Sequence, residues 1–180
     1  MSRKRQKNTY QQLDNGTTLV HCVGGRYFII DTTDLPLVSS RQWCMEKDGY
    51  AKSRTNGEYV TLHRLLMGVT DSGHRIRVDH ISGDATDNRR SNLRICTAID
   101  NSRNSRLRSN NKTGFKGVCY VPKKGKYCAY ISDNCKTKNL GYFETAQEAA
   151  AAYDKAALLI YGDYARTNAM LGLYERLAAN

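Results

Sequence analysis

The sequence predicts an α+β protein built from small antiparallel sheets and a few helices. Turn dipeptides such as Gly24-Gly25 and Asp48-Gly49 separate short strand-like runs in the first third of the chain, which is the pattern of β hairpins. Towards the other end, Thr145 and Glu148 have the spacing of a capping box before an alanine-rich run of helical period. Of the 180 residues, 40% are hydrophobic, which is typical of a globular chain. No stretch approaches the ~20 apolar residues of a membrane-spanning helix.

The first third of the chain predicts a basic flexible tail at residues 1–9 and a β meander at residues 10–61. Asn56-Gly57 adds a third tight-turn signal to the two already named. Trp43, the single tryptophan, is expected in the core. The meander carries no recognisable chemistry, so it either supports the next module or adds DNA contacts.

Residues 62–108 predict a module of strand, loop, strand and helix. Residues 75–81 alternate as a short strand, residues 92–96 resume one, and Thr97 opens a helix. Asp79 and His80 are neighbours on the first strand and therefore point to opposite faces, although twist at the strand end can aim both at one cleft.

Four polar residues of this module, Asp79, His80, Asn92 and Asn101, indicate a nuclease metal site. A phosphodiester resists water at neutral pH, so an enzyme supplies a base for the attacking water and a cation for the leaving oxygen. One histidine beside oxygen ligands can supply both. The alternative is structural, since the two asparagines are also common caps of strand and helix ends.

The strings VDHISGD, DNRRSNLRI and DNSRN begin at residues 78, 87 and 100. They resemble the phage and intron-encoded branch of the H-N-H endonuclease family, and the resemblance covers residues 62–108. It implies a ββα-metal fold and a set of roles: His80 as general base, Asp79 and Asn101 as metal ligands, and Asn92 as the residue that fixes the hairpin and orients the base. An oxygen-rich shell favours Mg²⁺ or Mn²⁺. His63 belongs to an upstream HRL segment of the same family; it either touches a phosphate or packs against its own helix.

The net charge of +11 is concentrated in one segment. Residues 88–126 hold eleven Lys and Arg residues against Asp100 alone, a net of +10. Such a run is the electrostatic footprint of a protein that follows a phosphate backbone; the alternative is a solvated charged face. The DNA contacts predicted within the nuclease module are His63, Arg89, Arg90, Arg103 and Arg106.

Beyond a linker at residues 109–112, residues 113–168 predict a three-stranded antiparallel sheet packed on one helix. Strands are expected at residues 115–121, 126–132 and 136–143, and the helix runs from the Thr145 cap to Gly162. Its expected inner face is Ala149, Ala152, Tyr153, Ala156, Ala157 and Ile160. Residues 169–180 are expected to form a C-terminal tail.

The strings FKGV at residue 115, NLGYFETAQEAAAAYDKAA at residue 139 and YARTN at residue 164 resemble the Apetala-type DNA-binding domain of plant ethylene-response factors. The resemblance implies that Tyr127, Ala129 and Ile131 face the helix, while Lys126, Cys128, Tyr130 and Ser132 face DNA. The arginines and tryptophans that read bases in the plant domain are replaced here by Cys119, Val121, Ser132 and Asn139. We therefore expect backbone anchoring by Lys116, Lys123, Lys124, Lys126, Tyr130, Lys136 and Lys138.

Together these features predict a metal-dependent DNA endonuclease of the homing type that acts on double-stranded DNA. The alternative is a non-catalytic DNA-binding regulator that retains the nuclease fold. We expect no membrane partner, no small-molecule substrate, a monomer, and a phage-encoded protein in the cytoplasm of a bacterial host. The six cysteines contain no C-x-x-C pair, so reduced thiols are expected rather than a disulfide or zinc framework.

Overall fold

The structure, a computed structural model, describes residues 7–55, 57–69, 76–134 and 136–178. These residues form two compact units, the first ending at Ala98 and the second beginning at Ile99. The division lies before the linker predicted at residues 109–112. Predictions for most of the basic tail, Asn56, Arg75 and Cys135 lie outside the described residues.

The described part of the first unit contains two three-stranded sheets and one two-stranded sheet, all antiparallel. Its strands are β1 (Thr9–Gln12), β2 (Thr17–His21), β3 (Tyr27–Asp31), β4 (Cys44–Met45), β5 (Ala51–Thr55), β6 (Glu58–Thr61), β7 (Ile76–His80) and β8 (Leu93–Thr97). The helices α1 (Leu35–Ser39) and α2 (Leu62–Leu66) are short. The single meander predicted for residues 10–61 is therefore two meanders, because a helical segment with Pro36 in its first turn interrupts the strands.

Trp43 lies at the centre of the first unit's core, as predicted. It is fully buried, its ring meets that of Phe28 edge to face at 6.3 Å, and its Nε1 donates to the Val38 carbonyl at 2.9 Å. Val78 and Leu93, from the hairpin of β7 and β8, belong to the same core. The N-terminal sheets and this hairpin thus fold as one body.

The loop between β7 and β8 is hydrogen-bonded to the edge of β3. The Ile29 amide donates to the Thr86 carbonyl at 2.8 Å, and the Asn88 amide donates to the Ile29 carbonyl at 2.8 Å. The predicted supporting role of the N-terminal segment is therefore confirmed, whereas its contribution to DNA binding stays a prediction.

The second unit carries a three-stranded sheet of order β11-β10-β9 and one long helix. Its elements are α3 (Ala98–Arg103), which begins at the boundary, β9 (Val118–Val121), β10 (Lys126–Asp133), β11 (Lys136–Phe143), α4 (Ala146–Tyr161) and α5 (Leu173–Ala178). The predicted capping box is present, since Thr145 and Glu148 hydrogen-bond each other's backbone amides. The first strand is shorter than predicted: Phe115 precedes it and is fully buried in the core.

Tyr127, Ala129 and Ile131 face α4, as predicted, and pack in the two hydrophobic clusters of this unit. The predicted helix face is wrong at Ile160, which is 40% exposed, because Tyr161 takes the core position one residue later. Residues 173–178 are also not a free tail: they form α5, and Leu173 is buried against the core. Among the described helices, none is long and apolar enough to cross a membrane.

Candidate active site

Asp79 and His80 lie at the end of β7, on opposite faces of its hairpin with β8. In the antiparallel ladder Asp79 pairs with Arg94, and His80 pairs with Leu93. His80 therefore shares a face with the core residue Val78, whereas Asp79 lies on the other face. Both side chains are buried, at 3% exposure for His80 and 8% for Asp79.

The His80 imidazole is held by Asn88, a residue that we did not predict as part of the site. The Nε2 atom of His80 lies 3.2 Å from the Oδ1 atom of Asn88. The Nδ2 group of Asn88 donates to the carbonyls of Ala85 and Thr86 at 3.1 and 3.3 Å, which fixes the orientation of the amide. Oδ1 is then the acceptor, so Nε2 carries the proton and Nδ1 of the neutral ring does not. Asn88 lies inside the motif string, and only its contacts distinguish it from neighbouring polar residues.

Burial keeps this imidazole neutral. It lowers the pKa of His80 below its usual 6.5, although the hydrogen bond to Asn88 and the nearby Asp79 carboxylate act in the opposite direction. A neutral histidine at neutral pH can accept a proton, which is the property that a general base needs.

His63 packs beside His80. The centres of the two rings are 5.2 Å apart, and the ring planes meet at 67°. The centre of the Tyr50 ring lies 5.1 Å from that of His63 and 5.7 Å from that of His80. Burial lowers the pKa of His63 to about 3, with a further contribution from His80. The structure packs His63 against the rings of Tyr50 and His80; packing against its own helix and a phosphate contact both stay predictions.

Asn92 closes the loop between the two strands. Its Oδ1 accepts from the Ser82 amide at 2.9 Å, and its Nδ2 donates to the Asp87 carbonyl at 2.7 Å. These bonds fit the expected function of fixing the hairpin. Asn88 is hydrogen-bonded to His80, and orientation of the base by Asn92 stays a prediction.

Asp79 forms an ion pair with Arg94, whose Nη2 and Nε lie 2.8 and 3.1 Å from Oδ2. Asn101, the second predicted ligand, lies on α3 in the second unit and its side chain is exposed. The carboxylate of Asp79 and the amide oxygen of Asn101 are ligand types that suit Mg²⁺ or Mn²⁺. Within the described residues there is no group of three or more His, Cys, Asp or Glu side chains placed to hold a metal ion. The metal site therefore stays a prediction.

Several basic residues predicted as DNA contacts make bonds within the protein. Arg89 pairs with Asp87, and Arg90 makes a forked ion pair with Asp34 of the N-terminal region. Arg103 pairs with both Asp100 and Asp133.

Lys116 is held most completely, because its three ammonium donors meet the carbonyls of Arg103, Ser105 and Arg166 at 2.9, 2.9 and 3.2 Å. We therefore assign Lys116 a structural role. Arg106 is exposed.

The sheet face away from α4 carries part of the predicted DNA surface. Tyr130 is exposed there, and Lys124 places its ammonium 3.6 Å from the centre of the Tyr142 ring. Lys126 lies on the same face, with its ammonium 2.7 Å from Glu144.

Lys123 is exposed in the neighbouring turn. Lys136 and Lys138 differ from the prediction: their partners in the ladder are Asp133 and Ile131, so their side chains leave from the helix side.

Comparison with known proteins identifies the family of this chain. The HNH endonuclease family matches residues 68–103. An HNH endonuclease of Acanthamoeba polyphaga mimivirus, described as uncharacterised, is 30% identical over 147 residues, which are 80% of this chain and 75% of the relative. The chain belongs to the HNH endonuclease family. Asp79, His80, Asn88, Asn92 and Asn101 all lie within the family match.

In this HNH protein a shorter stretch is similar to plant transcription factors. An ethylene-responsive transcription factor of Arabidopsis thaliana is 52% identical over 60 residues, and one of Oryza sativa is 48% identical over 66 residues. These matches cover 32% and 36% of this chain but only 23% and 20% of the plant proteins. The likeness supports a DNA-binding domain fused to the nuclease. No solved structure matches the chain.

Proposed function

We propose that this HNH protein is a metal-dependent DNA endonuclease in which His80 is the general base. The observation that carries the proposal is the neutral imidazole whose Nε2 donates to Asn88, because the proton of the neutral ring is then on Nε2 and not on Nδ1. In hydrolysis Nδ1 takes a proton from the attacking water, and the resulting imidazolium shares its second N–H with the Asn88 oxygen.

Asp79 and Asn101 are the residues that we propose as ligands for Mg²⁺ or Mn²⁺. Such an ion, when bound, supplies positive charge for the phosphodiester oxygens. Residues of the chain position the base: Asn92 fixes the loop that carries Asn88, and Asn88 orients the imidazole of His80. Displacement of a nucleophile by even about 1 Å can cost on the order of 10²-fold in rate, so this positioning is significant.

The sheet face with Lys124, Lys126 and Tyr130 is the surface that we propose for duplex DNA. Lysines contact phosphates as point charges and lack the rigid fork with which arginine recognises guanine. Anchoring on the backbone, with little base selection by this face, is therefore the expected mode. Homing behaviour, a phage origin and action in a bacterial cytoplasm stay predictions.

Nicking of supercoiled plasmid in Mg²⁺ tests the proposal. The wild-type chain is expected to convert supercoiled to open-circular or linear DNA, and EDTA, His80→Ala and Asp79→Ala are each expected to reduce the rate at least 100-fold. His21→Ala, which removes a histidine elsewhere in the first unit, is the matched control and should cut at the wild-type rate. A wild-type chain that binds the plasmid but never cuts it would instead favour the non-catalytic regulator, and undiminished cutting by His80→Ala would remove the proposed base.

A further inference from the structure

The ion pair of Asp79 and Arg94 is the least exposed of the ion pairs in the described residues. Its side chains are 9% and 15% exposed, whereas the arginines of the Asp87 and Asp34 pairs are 40% and 51% exposed. The two residues face each other across the β7 and β8 ladder, so the backbone sets their approach. Both Nε and Nη2 are directed at the same carboxylate oxygen, Oδ2.

This geometry has two opposite effects on a cation that uses Asp79. The guanidinium holds the carboxylate in a fixed position before any ion arrives, which reduces the ordering that metal binding requires. The guanidinium also places a full positive charge within hydrogen-bonding distance of the Asp79 carboxylate, and this charge repels a metal ion that binds there. Because the pair is mostly buried, solvent screens this repulsion poorly.

We propose that Arg94 is a positioning residue of the nuclease: it orients the Asp79 carboxylate and competes with the metal ion for it. The inference rests on the proposed function, in which Asp79 is a metal ligand. Arg94 therefore weakens the binding of the metal ion, and it raises the cleavage rate of the site once the ion is bound. A residue with a purely structural role would not combine these two effects, since its loss would weaken binding and activity together.

Mn²⁺ binding without DNA, followed by the electron paramagnetic resonance signal of the free ion, tests the first effect. Arg94→Met removes the charge at similar length, and we expect it to bind Mn²⁺ at least tenfold more tightly than the wild type. Arg94→Lys keeps the charge but not the fork, so its Mn²⁺ affinity should stay within about twofold of wild type. Arg77→Met is the matched control, because Arg77 is an exposed arginine on β7, the strand that carries Asp79, and the Mn²⁺ affinity of this variant should change about twofold or less.

Nicking at saturating Mn²⁺ tests the second effect. Arg94→Met should cut about tenfold more slowly than the wild type, and Arg94→Lys should recover part of the rate. Should Arg94→Met fail to fold, Arg94→Gln removes the charge while it keeps a donor, and it carries the same expectation for Mn²⁺.

Asp79→Asn separates the two levels of inference. Asp79→Asn that binds Mn²⁺ as tightly as wild type would show that Asp79 is not a ligand, and the proposed metal site would fail. Loss of Mn²⁺ binding in Asp79→Asn, with unchanged or weaker binding in Arg94→Met and Arg94→Gln, would overturn the proposal for Arg94 alone.

Discussion

The Nε2 atom of His80 lies 3.2 Å from the Oδ1 atom of Asn88, and both donors of the Asn88 amide are bound to backbone carbonyls. This relationship places the proton of the neutral imidazole on Nε2, so we propose Nδ1 as the nitrogen that acts as a base. Asn88 also links the base to β3, because its backbone N–H donates to the Ile29 carbonyl. The N-terminal sheet thus supports the proposed chemistry through Asn88, which lies eight residues beyond the base.

Asn88→Ala is expected to lower the nicking rate about 10- to 100-fold while DNA affinity stays within about twofold, because His80 then loses its orienting acceptor. Single-turnover nicking and a DNA-binding isotherm measure the two quantities. Ser91→Ala, an exposed change in the same loop, is the matched control. A wild-type rate for Asn88→Ala would contradict the assigned orientation of the imidazole.

His63 predicts acid sensitivity of the fold. Its folded pKa of about 3 lies below the usual 6.5, so between these values the unfolded chain binds more protons, and the free energy of unfolding falls as the pH drops below about 6.5. The slope from this residue approaches about 1.4 kcal/mol per pH unit. His63→Phe keeps an aromatic ring without a titrating group and should show a shallower slope from pH 7 to pH 5 in urea denaturation.

The lowered pKa of His80 acts in the same direction, so His63→Phe should remove only part of the slope. Stability curves of wild type and His63→Phe that run parallel over this range would show that His63 protonates equally in the folded and unfolded states.

Lys123 and Lys124 predict the salt dependence of DNA binding. Replacing both by Met should weaken binding and reduce the slope of log K against log salt by about 2, since each phosphate contact contributes about 0.9. Fluorescence anisotropy measures the slope, with a labelled duplex and salt concentrations from about 50 to about 200 mM. The double variant of Lys47 and Lys155, two exposed lysines elsewhere, controls for charge. An unaltered slope in the Lys123 and Lys124 variant would place DNA elsewhere.

For Lys116, we expect substitution to lower the stability of the fold rather than the affinity for DNA. Lys116→Met leaves three carbonyls without their donor, so the free energy of unfolding should fall by about 1 to 3 kcal/mol. Chemical denaturation measures this loss, and Lys123→Met should stay within about 0.5 kcal/mol of wild type. Equal stability of the two variants would mean that water replaces the ammonium at no cost.

Much of the architecture was predictable because its signals are local. The two residues of the capping box, Thr145 and Glu148, are three positions apart, and the alternation of β10 puts Tyr127, Ala129 and Ile131 on one face of the strand. The resemblance to the Apetala-type domain implied that this face meets the helix, as the structure shows. The error at Ile160 arose at the end of the same helix, where the packing partner, rather than the period, decides which residue is buried.

By itself, the sequence determined the order of the strands and helices around the motif and the family of the chain. Of the polar residues in the proposed site, Asn88 was found only from its contact with His80. Only the tertiary structure decided how the charges are used: Arg90 binds Asp34, a residue 56 positions away, and Lys116 donates to the carbonyl of Arg166, 50 positions away. The physical reason is that periodicity and capping depend on neighbours within a few residues, whereas a long side chain is bound by whichever group the folded backbone brings within about 3 Å of it.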